Sequence, residues 1–263
     1  MKRVIIGLLV LVGLLVAADF GAAALAESAV SREMREQLAL PDDPDVRING
    51  FPFVTQALAG NYSSIDVTAD RLRVGELQEV EVVAQLRDVS VPLSEVLGSG
   101  PRSLRVGGAD GTVRVGPDDI ERLLGGVERL RIETLDVDAL RQAVEDGADA
   151  ALADVDPDTV ARLVGTSAVL GQDTEVAAIV ALQLGDGGVA RIVPRDIRVG
   201  GPDAAPLPAA LQESLRTQFT VEVDPGTLPL QVTPTSLRAN DGVLEISGST
   251  RDVVLGAEAS TGG

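Results

Sequence analysis

Long stretches of alternating apolar and polar residues constrain the fold of this chain most. Val80, Val82, Ala84 and Leu86 alternate with a set that includes Glu79, Glu81, Gln85 and Arg87, and the same spacing of two recurs in a second long segment at Val176, Ala178, Val180, Leu182 and Leu184. A period of two places the apolar side chains on one face of a β-strand. Strands with one apolar face commonly form antiparallel sheets. The chain is therefore predicted to be α+β, with a mainly antiparallel sheet curled around helices or packed on them.

Three glycine-rich segments predict where strands turn. GGADGT at Gly107–Thr112, GDGG at Gly185–Gly188 and NDG at Asn240–Gly242 each separate two β-type segments, as in β-hairpins. The apolar phase also changes near Asp88, which predicts a bulge or bend there. These signals add hairpins to the predicted sheet.

Short helices are predicted between the strands. Val115–Gly125 (VGPDDIERLLG) and Val155–Gly165 (VDPDTVARLVG) share six of eleven residues. Each has the pattern of a strand end, a Pro-Asp turn and a helix ended by glycine, so repeated strand–helix units are predicted. Leu135–Ala153 and Pro208–Gln218 are further predicted helices, and Ala26–Leu40 is a predicted amphipathic helix.

The N-terminus has the pattern of an export segment. A basic start precedes fifteen uncharged residues, Val4–Ala18, and a small-residue run then ends Ala-Leu-Ala at position 26. Residues 1–26 are therefore predicted to be a signal peptide, cleaved before Glu27, or an uncleaved membrane anchor. Fifteen residues are fewer than the ~20 that usually span a bilayer. Residues 27–263 are predicted to be extracytoplasmic, either secreted or anchored, and the amphipathic helix continues an uncleaved leader as a stalk.

The composition excludes most catalytic chemistry. The chain contains no histidine and no cysteine, so it forms neither a Ser-His-Asp nor a Cys-His arrangement, and zinc sites normally use the same two residues. Its formal net charge of −18 is opposite to what phosphate contacts require. We therefore expect no enzyme activity, no metal site, no cofactor and no nucleic-acid partner. A hydrolase or transferase that uses carboxylates alone stays open as the catalytic alternative.

The few aromatic residues are concentrated in the aromatic window, Ile48–Val67. Of the five aromatic side chains in the chain, Phe51, Phe53 and Tyr62 lie there. Aromatic side chains carry large apolar area and dominate cores and binding surfaces. The window is therefore predicted to be either the centre of a core or the mouth of an apolar binding site. Gln56 is predicted to hydrogen-bond either a backbone group or a bound headgroup.

The window also carries a motif. Gly50, Pro52, Phe53, Gln56 and Gly60 form the pattern G-x-P-F-x-x-Q-x-x-x-G, which resembles the signature of the LmeA-like phospholipid-binding family of actinobacterial cell-envelope proteins. The similarity runs over nearly the whole chain and follows the same order of segments. These are the apolar leader, the amphipathic helix, VVAQLRDVSVPLSEVL, VRVGPDDIERLLG and a closing hairpin around NDGV.

The resemblance implies a fold like that of tubular lipid-binding (TULIP-like) domains, in which a strongly curved sheet wraps a long helix and leaves an apolar groove. It implies an exported phospholipid-binding or lipid-transfer protein of the periplasm or cell envelope, with phosphatidylinositol-type ligands. It further implies a role in lipoglycan or mannan maturation, with envelope glycosyltransferase machinery as candidate partner. The residues expected to contact lipid are Phe51, Phe53, Val54, Gln56, Leu58 and Tyr62. The alternative is a structural or scaffolding envelope protein with a solid core.

Overall fold

The computed structural model describes residues 2–74, 77–91, 103–167, 173–185, 188–201, 234–240 and 242–256, together with short pieces between 203 and 223. The helices in these ranges are α1 Lys2–Leu38, α2 Phe53–Ala59, α3 Pro117–Leu124 and α4 Val137–Glu145, with 3₁₀ turns at Ala150–Asp154 and Pro157–Thr159. The strands are β1 Asp45–Asn49, β2 Asn61–Val74, β3 Leu77–Ser90, β4 Ser103–Val115, β5 Val127–Thr134, β6 Val160–Ser167, β7 Thr174–Leu184, β8 Ala190–Val199, β9 Val221–Val223, β10 Pro234–Asn240 and β11 Val243–Gly256.

The strands form two antiparallel sheets. A six-stranded sheet has the order β1-β2-β3-β4-β11-β10, and a five-stranded sheet has the order β5-β6-β7-β8-β9. One sheet curls strongly into a half barrel, as in curved-sheet lipid-binding folds. The predicted α+β class with a mainly antiparallel, strongly curved sheet is confirmed. The β7–β8 and β10–β11 pairs also form as predicted, although Asp186, Gly187 and Asp241 of their turns lie outside the described residues.

The main core lies between the two sheets at one end of the six-stranded sheet. Apolar side chains from both sheets are buried there around Ile120 of α3. The six-stranded sheet contributes Leu77, Val80, Val113, Val115, Leu237, Ala239, Leu244 and Ile246, and the five-stranded sheet contributes Leu130, Ile132, Ala161, Leu163, Val180, Leu182, Ala190 and Ile192.

The long strands of the six-stranded sheet carry a second apolar cluster at their other end. It contains Leu86, Val89, Val106 and Ala109. The nine steps along β3 from Val80, in the main core, to Val89 span roughly 30 Å at ~3.3 Å per residue. The phase change between Leu86 and Val89 results from Asp88, whose φ is +51°, while the pairing on both sides of β3 keeps its register there. The irregularity predicted near Asp88 is therefore a left-handed backbone conformation within a continuous strand, and not a bulge.

The hairpin predicted at Gly107–Thr112 is wrong. The segment is the middle of one continuous strand, β4, which pairs with β3 on one side and β11 on the other. Gly107 approaches Asp88 closely, since a Cβ on the glycine would lie 3.0 Å from the Cβ of Asp88. The two ladders and this close approach keep the glycines extended, so the local turn preference is overridden.

The helix predicted in the second copy of the repeated motif is also wrong. In the first copy, α3 forms after Gly116 as expected. In the second, Asp156 caps a single 3₁₀ turn, and Val160–Ser167 becomes strand β6. This strand lies between β5 and β7 and is hydrogen-bonded to both. Such central pairing favours the extended conformation of its β-branched residues over a short helix.

The other predicted helices are partly present. Leu135–Ala153 contains α4 followed by a 3₁₀ turn. In Pro208–Gln218 the described residues Ala210, Gln212, Glu213 and Arg216 are helical, Pro208 is described and not helical, and the rest lie outside the described residues. The segments 92–102 and 224–233, which the resemblance also used, are outside them as well.

The leader and the predicted amphipathic helix form one continuous helix, α1, of 37 residues. It is long and apolar enough to cross a membrane, a property that signal sequences share. The helix packs on β1 and α2. Its buried residues are Asp19 and Ser31, so, unlike the long helix that the resemblance implies, it is not wrapped by a sheet.

Candidate functional site

An apolar groove continues the main core along one face of the five-stranded sheet. Its volume is about 280 Å³. Thirteen residues of α3 and strands β5 to β8 line it, and twelve of them present only carbon or hydrogen atoms from their side chains. The lining consists of Leu124, Val127, Leu130, Leu163, Gly165, Ser167, Val176, Ala178, Val180, Ile192, Pro194, Ile197 and Val199.

The alternating pattern of β7 builds the floor of the groove. Val176, Ala178 and Val180 face the groove, while Ile179 faces the opposite side of the sheet and packs under α4. One face of the five-stranded sheet is therefore covered by α4. Part of its other face is buried in the main core, and the rest lines the groove. Val180 belongs to both core and groove, so the groove floor is the uncovered continuation of the core.

A β-bulge in β8 determines which of its side chains line the groove. The pairing with β7 shifts between Pro194 and Asp196, which leaves Arg195 as the extra residue. The shift changes the phase of the strand, so Pro194 and Ile197 both line the groove. Proline is tolerated here because a bulge does not require its missing N–H. Asp196 turns to the other face, where it accepts a 2.7 Å hydrogen bond from Nε of Arg198.

A second irregularity brings β5 over the groove wall. The β5–β6 pairing shifts between Glu128 and Arg131, opposite Gly165. A Cβ on Gly165 would lie 2.5 Å from Cγ1 of Val127 and 3.3 Å from the carbonyl oxygen of Glu128. Only glycine therefore allows β5 to approach this closely, and the approach places Val127 and Leu130 in the lining.

Gly165→Ala is expected to lower the free energy of unfolding by about 1–3 kcal/mol, because the added methyl group overpacks this contact. Val127→Ala in the same chain is expected to recover part of the loss, since it removes the clashing Cγ1. Gly116→Ala is the control, because a Cβ there meets nothing within 4 Å. Urea unfolding followed by circular dichroism gives the free energy of unfolding of each variant, of the wild type and of Val127→Ala alone. If Gly165→Ala cost the same free energy in the wild type and in the Val127→Ala background, the proposed contact would be contradicted.

The chemistry of the groove is that of an apolar binding site. Among the described lining residues, Ser167 carries the one hydroxyl, which donates a 2.8 Å hydrogen bond to the carbonyl oxygen of Gly126, and none of them is charged. Such concave, mostly apolar and preformed sites bind hydrophobic ligands. Among the described residues, no group of three or more acidic side chains is placed to hold a metal ion.

The aromatic window lies at the other end of the six-stranded sheet from the main core, beside the start of β2 and the end of β3. None of its six candidate residues lines the groove. Phe51, Gln56 and Tyr62 instead share a shallow depression with Asp88 and Val89. The six residues predicted from the sequence therefore belong to a surface separate from the groove, and their contact with lipid stays a prediction. Three of the groove residues, Val176, Ala178 and Val180, belong to the segment Val176–Leu184 in which the sequence predicted one apolar face. The sequence did not indicate which part of that apolar face the core leaves uncovered.

The motif residues of the window have internal structural roles. Gln56 Oε1 accepts a 3.1 Å hydrogen bond from the backbone N–H of Ser63, so it satisfies a backbone group, one of its two predicted roles. Gly50 has φ +112°, and a Cβ on it would lie 2.6 Å from Nε2 of Gln56. Phe53 is buried with its ring 6.4 Å from that of Tyr62. Gly60 ends α2 in the left-handed conformation at φ +66°.

The outward-facing residues of the window are apolar. Phe51, Val54 and Leu58 are exposed, with Phe51 at 61% and Leu58 at 69% of their possible area. Val54 and Leu58 are four residues apart and therefore lie on the same face of α2. The Phe51–Pro52 peptide bond is cis, and the ring of Phe51 stacks on that of Phe20 in α1.

Burial raises the pKa of the Tyr62 hydroxyl above its ordinary value of 10.0, because desolvation disfavours the phenolate. Tyr62 is the only tyrosine, so an ultraviolet absorbance titration of the chain reports on it alone. We expect a midpoint above that of the chain unfolded in denaturant. The stability linked to this group is complete below the unfolded pKa and is lost as the pH rises through the folded pKa. Coincident midpoints would contradict the burial.

The comparisons with known proteins agree with this geometry. A model of the LmeA-like phospholipid-binding family matches residues 17–249. The match includes the C-terminal part of α1, the aromatic window and all the described lining residues of the groove. No curated protein and no solved structure matches the chain.

Proposed function

The chain belongs to the LmeA-like phospholipid-binding family, and on that premise we propose that it is an exported envelope protein that holds phospholipid acyl chains in the groove. The observation that carries the proposal is the open apolar groove of about 280 Å³. This volume is near the lower end of the ~300–1,000 Å³ of small-molecule sites. We infer that it takes one acyl chain while the rest of the lipid stays outside.

The binding energy in this proposal comes from burial of the acyl chain. Each buried methylene contributes ~0.8 kcal/mol, so ten of them contribute about 8 kcal/mol before the cost of ordering the chain. The headgroup is free to differ, since none of the lining residues that the structure describes is cationic. Phosphatidylinositol-type lipids are the headgroup class that we propose from the family resemblance.

We further propose that the protein acts without catalysis, in lipid transfer or in support of lipoglycan or mannan maturation. The lack of histidine and cysteine supports a binding role. In this role the protein supplies or holds a lipid for envelope glycosyltransferase machinery. An open groove also disfavours the alternative of a scaffold with a solid core.

The direct test is to purify the full chain in detergent, extract it with organic solvent and identify lipids by mass spectrometry. We expect phospholipid in the extract, and exchange of that lipid when the protein is mixed with phosphatidylinositol-containing vesicles. A lipid-free extract together with no uptake from vesicles would overturn the proposal.

A further inference from the structure

The outer end of the apolar leader is bonded to the aromatic window. Asp19 is one of the two buried residues of α1, and its two carboxylate oxygens accept 2.8 Å hydrogen bonds from the backbone N–H groups of Phe53 and Val54. Phe20 stacks on Phe51 with ring centroids 6.0 Å apart. The charge that interrupts the apolar leader is therefore hydrogen-bonded inside the protein and holds α2 against α1.

Two more polar contacts continue this attachment along α1. Glu27 Oε1 accepts a 2.8 Å hydrogen bond from the N–H of Ile48, and Ser31 Oγ donates a 2.6 Å hydrogen bond to the carbonyl oxygen of Pro44. Removal of residues 1–26 would delete Asp19 and leave the N–H groups of α2 without this partner. The leader is thus continuous with the folded domain, and the family match likewise begins at residue 17.

Apolar side chains surround the point of attachment. We call Phe20, Phe51, Val54 and Leu58 the collar. All four are exposed, Phe20 at 63% of its possible area. They are linked by the Phe20–Phe51 stack, the Asp19 hydrogen bonds and the turn of α2. Contiguous exposed apolar surface of this kind typically marks a contact with a protein or a membrane.

The length of the leader identifies the contact. Val4–Ala18 is fifteen residues, or about 22 Å of helix at ~1.5 Å per residue, whereas the hydrocarbon core of a bilayer is ~30 Å thick. The collar lies beside the end of this segment, and its apolar side chains add to an apolar helix that is shorter than the hydrocarbon core. We propose that α1 is retained as an uncleaved anchor and that the collar is embedded in the outer interface of the same phospholipid bilayer. This inference rests on the proposed export and concerns a surface separate from the groove.

The charges near the collar indicate that apolar contact, not electrostatic attraction, seats it. Among the described arginines at the collar end of the six-stranded sheet, Arg87 pairs with Asp110 and Arg105 stands alone opposite Ser90 in the strand pairing, while the chain carries a net charge of −18. Surfaces attracted by anionic lipids carry clusters of unpaired Lys and Arg. Insertion of the collar into the membrane interface should therefore not depend on anionic lipid or on salt.

The test uses the absence of tryptophan from the chain. Single-tryptophan variants Phe51→Trp and Leu58→Trp of the full chain are reconstituted into phosphatidylcholine vesicles, with and without phosphatidylglycerol, and bromine-labelled acyl chains are added as quenchers. Val137→Trp is the matched control, because Val137 is 53% exposed on α4, beyond the five-stranded sheet. We expect blue-shifted emission and loss of fluorescence for the two collar probes, unchanged by salt or phosphatidylglycerol, and neither effect for the control.

Emission and quenching equal to those of the Val137→Trp control would overturn the collar contact. The intact mass of the protein from the membrane fraction tests retention of α1: a product that begins at Glu27 overturns it, and a product that keeps Asp19 supports it. These readouts do not require a lipid in the groove, so failure of groove binding and failure of this inference are distinguishable.

Discussion

Ala178→Glu is expected to abolish phospholipid binding by the groove. Ala178 pairs across the sheet with Leu163 on one side and Ile197 on the other, and all three line the groove. A carboxylate placed there finds no cation in the lining. Covering it with an acyl chain costs several kcal/mol of desolvation, so affinity should fall by about 100-fold or more. The measurement is the phospholipid that co-purifies with each variant, quantified by mass spectrometry.

The fold should tolerate this substitution because the groove is open and water reaches the new carboxylate when lipid is absent. Ala150→Glu is the matched control, since Ala150 is exposed on a 3₁₀ turn outside the groove. Ala178→Val adds only methyl groups and should reduce the bound lipid less than the charged variant. If Ala178→Glu retained as much phospholipid as Ala150→Glu, the groove would not be the acyl-chain site.

Asp119→Ala is expected to lower the free energy of unfolding by about 3 kcal/mol. Asp119 is a buried residue of α3, and its carboxylate accepts hydrogen bonds from the backbone N–H groups of Gln78 at 2.8 Å and Glu79 at 3.2 Å. It also pairs with Arg122. Hydrogen bonds to a charged group contribute about 1.5–3 kcal/mol each, and their loss releases the start of β3 from α3. Urea unfolding followed by circular dichroism measures the change.

The control for this prediction is Asp118→Ala, one residue earlier in the same helix. Asp118 is exposed and contributes only a favourable charge at the helix N-terminus, about 0.3–1 kcal/mol. Asp119→Asn keeps an oxygen acceptor and should lie between the two. Similar costs for Asp118→Ala and Asp119→Ala would show that the bonds to β3 do not hold α3 in place.

The sequence predicted those parts of the fold that depend on local pattern. Strand β7 follows directly from its period of two, and that period also decides which of its side chains face the groove. Residues Ile197 and Val199 escaped notice because the bulge at Arg195 changes the phase of β8. A bulge depends on the pairing with a neighbouring strand, which the local pattern does not contain.

Contacts distant in sequence account for the remaining differences. Gly107–Thr112 has the residues of a turn, but two neighbouring strands keep it extended. The role of Asp19 does not follow from the local pattern of the leader, because its hydrogen-bond partners lie 34 and 35 residues away. The concentration of aromatic residues located the aromatic window, and the resemblance implied an apolar groove, but the residues that line the groove depend on the packing of two sheets and were not predicted.

The length of the strands in the six-stranded sheet sets how far a bound lipid is from the membrane. β2 and β3 each have 14 residues, about 46 Å at ~3.3 Å per residue, with the collar at one end and the main core and groove at the other. This length matches the ~40–45 Å thickness of a whole bilayer with its headgroups. On the proposal that the collar is embedded in the membrane, a lipid in the groove would lie outside its leaflet, which is the position that the proposed lipid transfer requires.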